Sequence, residues 1–248
     1  SLARCQVAQL PAGHVPLTPP LFGWLKRRPP PTVDSAAWQR VRATTPWLLR
    51  LDETRDATLQ ALAAGFLHQK RITPLAGLTL DDDERLQLAA LCCLPLIGLG
   101  ANGWAGWSQV LVYPDAFRVR RSHTDAAGVL HEYEDELAGE SWDAGPLILS
   151  WADVQADLAE PDAGFCVAIH EMAHKLDALD GEMDGTPPLP RAWQRQWAED
   201  FQRRYDAFCA EVDAGHDTAI DPYASESPEE FFAVTSEYHF SAPALLQA

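Results

Sequence analysis

Phe165-Cys166-Val167-Ala168-Ile169-His170-Glu171-Met172-Ala173-His174-Lys175-Leu176-Asp177-Ala178-Leu179 is an apolar stretch with three chemically loaded residues at its centre. Good helix formers stand on both sides of them. Gly181 offers a stop, and Gly185 with Pro187-Pro188 marks a loop. The pattern predicts a mostly buried helix over about 163–180, with Asp162 or a neighbour as its cap. Residues four apart on an α-helix share a face, so His170 and His174 aim two imidazoles at one point. Glu171 sits one step round, able to reach a water at that point without ligating. H-E-x-x-H is the pattern of a zinc site with a built-in general base. Zinc brings a bound water to a pKa of about 7, and the carboxylate takes its proton. The bland alternative is a buried helix whose histidines and glutamate merely hydrogen-bond. A buried Glu is costly there unless something balances it.

Such a site needs a third protein ligand. A His six residues after His174, with Gly at the third, is absent, because Asp177 and Asp180 hold those places. Asp180 suits a variant with Asp at the sixth position, but that variant also wants the missing Gly. A Glu from a separate helix is the third possibility. Ser227-Pro228-Glu229-Glu230 reads as an N-cap, a proline at the first helical position and acids in the first turn. The helix it opens offers Glu229, Glu230 and Glu237. Ser227 with Glu230 is also a capping box, so spacing leaves these candidates open. Asp177 lies on the histidine face, three residues past His174. It is the candidate carboxylate for the second nitrogen of a ligating His, with Asp180 weaker. Solvated acids at a helix end are the alternative.

The 170–181 stretch, Asp221-Pro222-Tyr223-Ala224, Pro228-Glu229-Glu230-Phe231-Phe232-Ala233-Val234 and Ser236-Glu237-Tyr238 resemble the Mlc titration factor A (MtfA) family of bacterial zinc peptidases. Upstream, Leu94-Pro95, Gly106-Trp107, Val112-Tyr113-Pro114, His131-Glu132-Tyr133, Leu137-Ala138-Gly139-Glu140 and the run from Gly145-Pro146 to Val154 fit as well. The likeness spans about residues 20–245. It implies an α+β, zincin-like fold of the gluzincin type, with a core similar to anthrax lethal factor. A small mixed sheet would pack on the active-site helix, with further helices flanking it. It implies Zn²⁺ on His170, His174 and Glu230, the last chosen because Tyr223 stands seven residues before it. It also implies Glu171 as general base and Tyr223 facing the metal. Tyr223 can donate to an oxyanion; a Tyr packed in an Asp-Pro turn is the plain alternative. Cleavage of short peptides from the amino end is the activity implied. Some members are named for sequestering the repressor Mlc, so a protein-binding regulator of a transcriptional repressor is the competing expectation.

Composition narrows the partners. The 248 residues carry 36 acidic against 19 basic side chains, a net charge of −17, which disfavours nucleic acid. A hydrophobic content of 47%, with nine Trp and nine Phe, supports a real core. No apolar run reaches the roughly 20 residues of a membrane span; Leu91–Gly100 is too short and is broken by Pro95 and Gly98. Five cysteines without a Cys-x-x-Cys read as buried apolar residues in a reducing compartment. No signal-peptide pattern is visible, so the expected location is cytoplasmic.

Residues 1–34 are Pro-rich and read as an arm, with Lys26-Arg27-Arg28 a solvated basic run. Residues 35–248 are expected to form one peptidase domain, helical over about 35–105 and catalytic over about 106–248. A helix from Ser35 to about Arg50 breaks at Pro46; others cover Asp52 to about Lys70 and Asp81 to Leu94. Strands are expected at 109–113 and 117–121, around the turn signal Pro114-Asp115. The acidic run 131–136 reads as a solvated strand edge. Gly145–Trp151 is the strongest strand, and it or its neighbour is the candidate for pairing with an extended substrate. His123, His131 and His239 read as structural.

Overall fold

Asp34, Asp52 and Asp81 each end an extended stretch and turn a carboxylate back onto the first turn of a helix. They accept the amide protons of Ala37 (2.9 Å), Arg55 (2.8 Å) and Glu84 (2.8 Å). Each such cap is worth about 1 kcal/mol. The helices are α1 (Ser35–Thr44), α2 (Glu53–Gln69) and α3 (Asp82–Cys93). Pro46 opens a 3-10 turn, Pro46–Arg50, where the break is expected. The computed structural model describes residues 31–115, 117–124, 130–137, 139–141 and 145–247. The basic run at 26–28 and nearly all of the Pro-rich arm lie outside them.

The strands are β1 (Arg71–Pro74), β2 (Gln109–Tyr113), β3 (Phe117–Thr124), β4 (Leu130–Leu137), β5 (Gly139–Ser141) and β6 (Leu147–Ser150). One sheet has the order β1-β2-β6-β5, with β1, β2 and β6 parallel and β5 antiparallel to β6. The protein is therefore α+β with a small mixed sheet, consistent with a zincin-like fold. β1 comes from the part expected to be helical. Pro114-Asp115 does not fold β2 and β3 into a hairpin: β3 pairs with β4 in a separate ribbon. The physical reason is burial. Val110 and Val112 are fully buried, and β2 lies in parallel between β1 and the buried β6. The ribbon register instead sets Arg118 opposite Glu136 and Arg120 opposite Glu134. The acidic run thus lies on β4; its side chains, and those of His123 and His131, lie outside the description.

β6 is buried along its length and paired on both sides, with β2 and with β5. It has no open edge for a peptide. Among the described residues that edge of the sheet belongs to its neighbour β5. Ser150 closes β6 and caps α4 (Trp151–Ala159), accepting from Asp153 N at 3.2 Å.

The helix holding the His pair, α5 (Val167–Asp177), is shorter than expected at both ends. Residues 161–164 are turn and bend, and after Asp177 the chain tightens into a 3-10 turn. Gly181 then stops it with a φ of 97° that suits glycine. α5 lies against β5 and β6, α3, α4 and α7 (Pro228–Ser241). On the α3 side the packing is apolar, with Leu88, Leu91, Cys92 and Cys93 buried. Burial pushes the Cys92 thiol up to about 12, so it behaves as a small apolar side chain. The longest helix, α6 (Arg191–Asp213), is an addition to the sequence expectations. The spacing of Trp193, Trp197, Phe201, Tyr205, Phe208 and Val212 carries its signal. It packs Phe201, Tyr205 and Phe208 around Phe231 of α7. No helix among the described residues is long and apolar enough to cross a membrane.

Candidate metal centre

The α5 register brings His170 and His174 onto one face, with their Nε2 atoms 3.1 Å apart. The rings meet edge to face, centroids 4.8 Å apart. α7 supplies the third group. Ser227 Oγ accepts the Glu230 amide proton at 3.3 Å, but the Glu230 carboxylate turns towards the imidazoles. Its Oε2 lies 3.1 Å from His170 Nε2 and 3.5 Å from His174 Nε2. Among the described residues these three make the cluster with metal-ligand geometry, all ligand atoms within 4.8 Å of one another. Two atoms each about 2.1 Å from a tetrahedral ion stand about 3.4 Å apart, close to the three separations observed. Glu230 Oε2 is buried and makes no well-directed hydrogen bond. A buried acceptor left in that state is costly, and a cation between it and the two nitrogens would satisfy it. The residues therefore fit a divalent metal.

Electrostatics agree with a cationic site. Burial would raise the Glu230 carboxyl, and the two imidazoles more than reverse that, holding it well below its usual range. Burial would lower His170, but Glu230 and Glu237 raise it well above its ordinary value. Glu171 is 4% exposed. Burial pushes it up to about 7, against the lowering pull of His170 and His174. Its Oε2 also lacks a hydrogen-bond partner, so it has an oxygen to spare for a water or substrate proton.

Tyr223 sits in the turn Pro222–Ser225, whose start is fixed by Asp221 accepting the Tyr223 amide at 2.9 Å. Its ring is tilted 31° to that of His170, centroids 6.4 Å apart, and 49% of the residue is exposed. Burial of the hydroxyl end, then the charge and contact of Glu230, raise its pKa well above normal. The phenol stays protonated at neutral pH and can donate.

The expectation for Asp177 is corrected. Asp177 is fully buried, and its carboxylate accepts from the backbone of Gly185 (2.9 Å) and Thr186 (2.8 Å). It ties the loop after α5 instead of meeting a histidine, because two amide donors returning from that loop outcompete an imidazole. Asp180 also turns away, accepting from Glu182 N at 3.3 Å. The carboxylate that does meet His170 is Glu237, whose Oε1 contacts His170 Nδ1. Glu237 is seven residues, nearly two helical turns, beyond Glu230. That spacing was the sequence signal that both share one face. The α5 start has no cap of its own. Its first amides are taken by Glu237 Oε2, 3.0 Å from Cys166 N, and Asp157 Oδ2, 2.8 Å from Val167 N. Burial, offset in part by the Val167 amide, pushes Asp157 up to about 7.

Gly185 is clamped by its neighbours. Trp197 Nε1 donates to its carbonyl at 3.1 Å. Its φ is +81°, and a Cβ there would come within 2.3 Å of Phe201 and 2.9 Å of the Pro228 carbonyl.

Comparison with known proteins follows the same line. The family described as glucose-regulated metallo-peptidase M90 matches residues 23–248. A protein called Mlc titration factor A from Pectobacterium atrosepticum is 39% identical over 232 residues, 92% of this chain and 86% of that protein. Its namesake from Yersinia enterocolitica is 38% identical over 232 residues, 92% and 85% of the two chains. The one from Escherichia fergusonii is 38% identical over 223 residues, 89% and 83%.

Proposed function

The chain belongs to the glucose-regulated metallo-peptidase M90 family, and from that premise we propose that it hydrolyses peptide bonds using one zinc ion held by His170, His174 and Glu230. The observation that carries the reading is the convergence of two imidazole nitrogens and a buried, unsatisfied carboxylate oxygen beside a second carboxylate. Bound there, the metal supplies Lewis acidity, which acidifies water and polarises a carbonyl. Glu171 takes the proton of the attacking water and returns it to the leaving amine. Buried, and with one oxygen free of hydrogen bonds, its carboxylate is placed to do both. Tyr223 donates its hydroxyl proton in a hydrogen bond to the oxygen that gains charge. The edge of β5 that is unpaired among the described residues accepts an extended peptide by backbone hydrogen bonds, which tolerates varied sequence. Short peptides cleaved from the amino end are the proposed substrates, and the cytoplasm the proposed location, in keeping with the buried free thiols.

Glu171→Gln tests the reading. It is expected to lower kcat/KM by at least about 1,000-fold while zinc content stays at wild-type level. Undiminished hydrolysis by this variant, or by metal-stripped protein, would overturn it.

The relatives' shared name favours a second reading, in which the chain binds a transcriptional repressor of the Mlc kind and peptide cleavage is secondary. Capture of such a repressor by the Glu171→Gln protein would support it; capture by neither form would remove it.

A further inference from the structure

We propose that Glu237 is a positioning residue for the metal centre: one carboxylate that both fixes which nitrogen of His170 is bare and anchors the start of the helix bearing it. The proposal rests on the reading of His170 as a metal ligand. Glu237 is 5% exposed. Oε1 contacts His170 Nδ1, and Oε2 accepts from Cys166 N at 3.0 Å. An imidazole that gives its Nδ1 proton to a carboxylate keeps the Nε2 lone pair free, and here Nε2 is the atom facing His174 and Glu230. Its other oxygen, on the Cys166 amide, helps close a helix end whose own N-cap residue supplies no side-chain acceptor.

The two tasks demand a carboxylate. A glutamine has one acceptor oxygen and one NH₂ group. With its oxygen on the Cys166 amide, the NH₂ points at Nδ1 and drives the imidazole proton to Nε2, the atom a metal needs bare. With its oxygen on His170, the NH₂ meets the Cys166 N–H head on. Only the acid accepts from both donors. Because Glu237 and Glu230 lie two turns apart on α7, the helix that brings one ligand also sets the orientation of another.

Asp157 provides the control. It caps the same helix end through Val167 and has no hydrogen bond to His170. Zinc affinity is measured by competition with a coloured chelator, and folding by thermal unfolding. Glu237→Gln is expected to weaken zinc binding about 10- to 100-fold. Asp157→Ala is expected to lower the unfolding temperature and leave zinc affinity within about twofold. Equal zinc loss in both variants would reduce Glu237 to a helix cap and overturn the proposal, as would wild-type affinity in a folded Glu237→Gln protein. Should Glu237→Gln not fold, the zinc-loaded wild type decides. A downfield, exchange-protected imidazole N–H assigned to His170 Nδ1 supports the proposal, and assignment of that proton to Nε2 overturns it. A wild-type chain that binds no zinc overturns the function above and this inference with it, whereas wild-type binding with an indifferent Glu237 removes the inference alone.

Discussion

α3 and α7 begin alike, with a capping side chain followed three residues later by a glutamate. At α3 the pattern closes on itself: Asp81 accepts from Glu84 N, and Glu84 Oε2 accepts from Asp81 N at 2.7 Å. At α7 only half of it forms. Ser227 accepts from Glu230 N, while the Glu230 carboxylate leaves the helix end for two imidazoles on α5. The same letters thus serve local stability in one place and a distant demand in the other. Where a local rule is left half satisfied in an otherwise orderly fold, another part of the chain has claimed the side chain.

Four experiments can break or sharpen this contrast. The largest effect is expected from Glu230→Ala, which should lose bound zinc and lower kcat/KM by at least about 1,000-fold. Glu84→Ala should leave both unchanged; comparable losses in the two would erase the distinction. Tyr223→Phe tests the donor beside Glu230. A kcat lower by about 100-fold with zinc content intact is the outcome expected.

Next comes proton binding, on the α5 side of the contrast alone. In the metal-free chain Glu171 is raised from its usual value to about 7, so the folded form holds this proton more tightly than the unfolded one. The stability it contributes is complete below about 4.5 and is lost as pH rises to 7. Relative to Glu171→Gln, the stripped wild type should therefore melt at progressively lower temperature across that window. Parallel melting curves would show that the carboxyl is unperturbed. The smallest effects come from the caps. Asp81→Ala and Ser227→Ala should each cost about 1 kcal/mol in urea unfolding. Only the second should also weaken zinc retention, by a few-fold, since it loosens the turn that aims Glu230.

Helical periodicity made His170, Glu171 and His174 legible, because they share one short element and their spacing is set by its geometry. Glu230 was ambiguous for a physical reason: a capping box and a ligand look the same until the carboxylate's direction is known. Asp177 misled because helical facing describes where a side chain starts, and the Gly185 and Thr186 amides that capture it arrive from a loop. Glu237 was overlooked as a histidine partner since its donor lies 67 residues away in the chain. The α+β class came from the family resemblance, and the helical runs at 52–70 and 81–94 and the strand at 145–151 agreed with it. β1 was not legible, being four residues long and ending in proline. The β3–β4 pairing was hidden behind a turn signal that closes no hairpin.

Gly185 has a consequence beyond its own loop. It touches no ligand, yet its bare α-carbon sets the gap between the foot of α7 and α6. The Pro228 carbonyl it faces is two residues from Glu230. A methyl group added at that point would work as a shim between Phe201 and the Pro228 carbonyl, pressing on the first turn of α7, from which Glu230 reaches the two imidazoles. The approach of α7 to α6 beside the candidate site thus depends on a side chain that is not there.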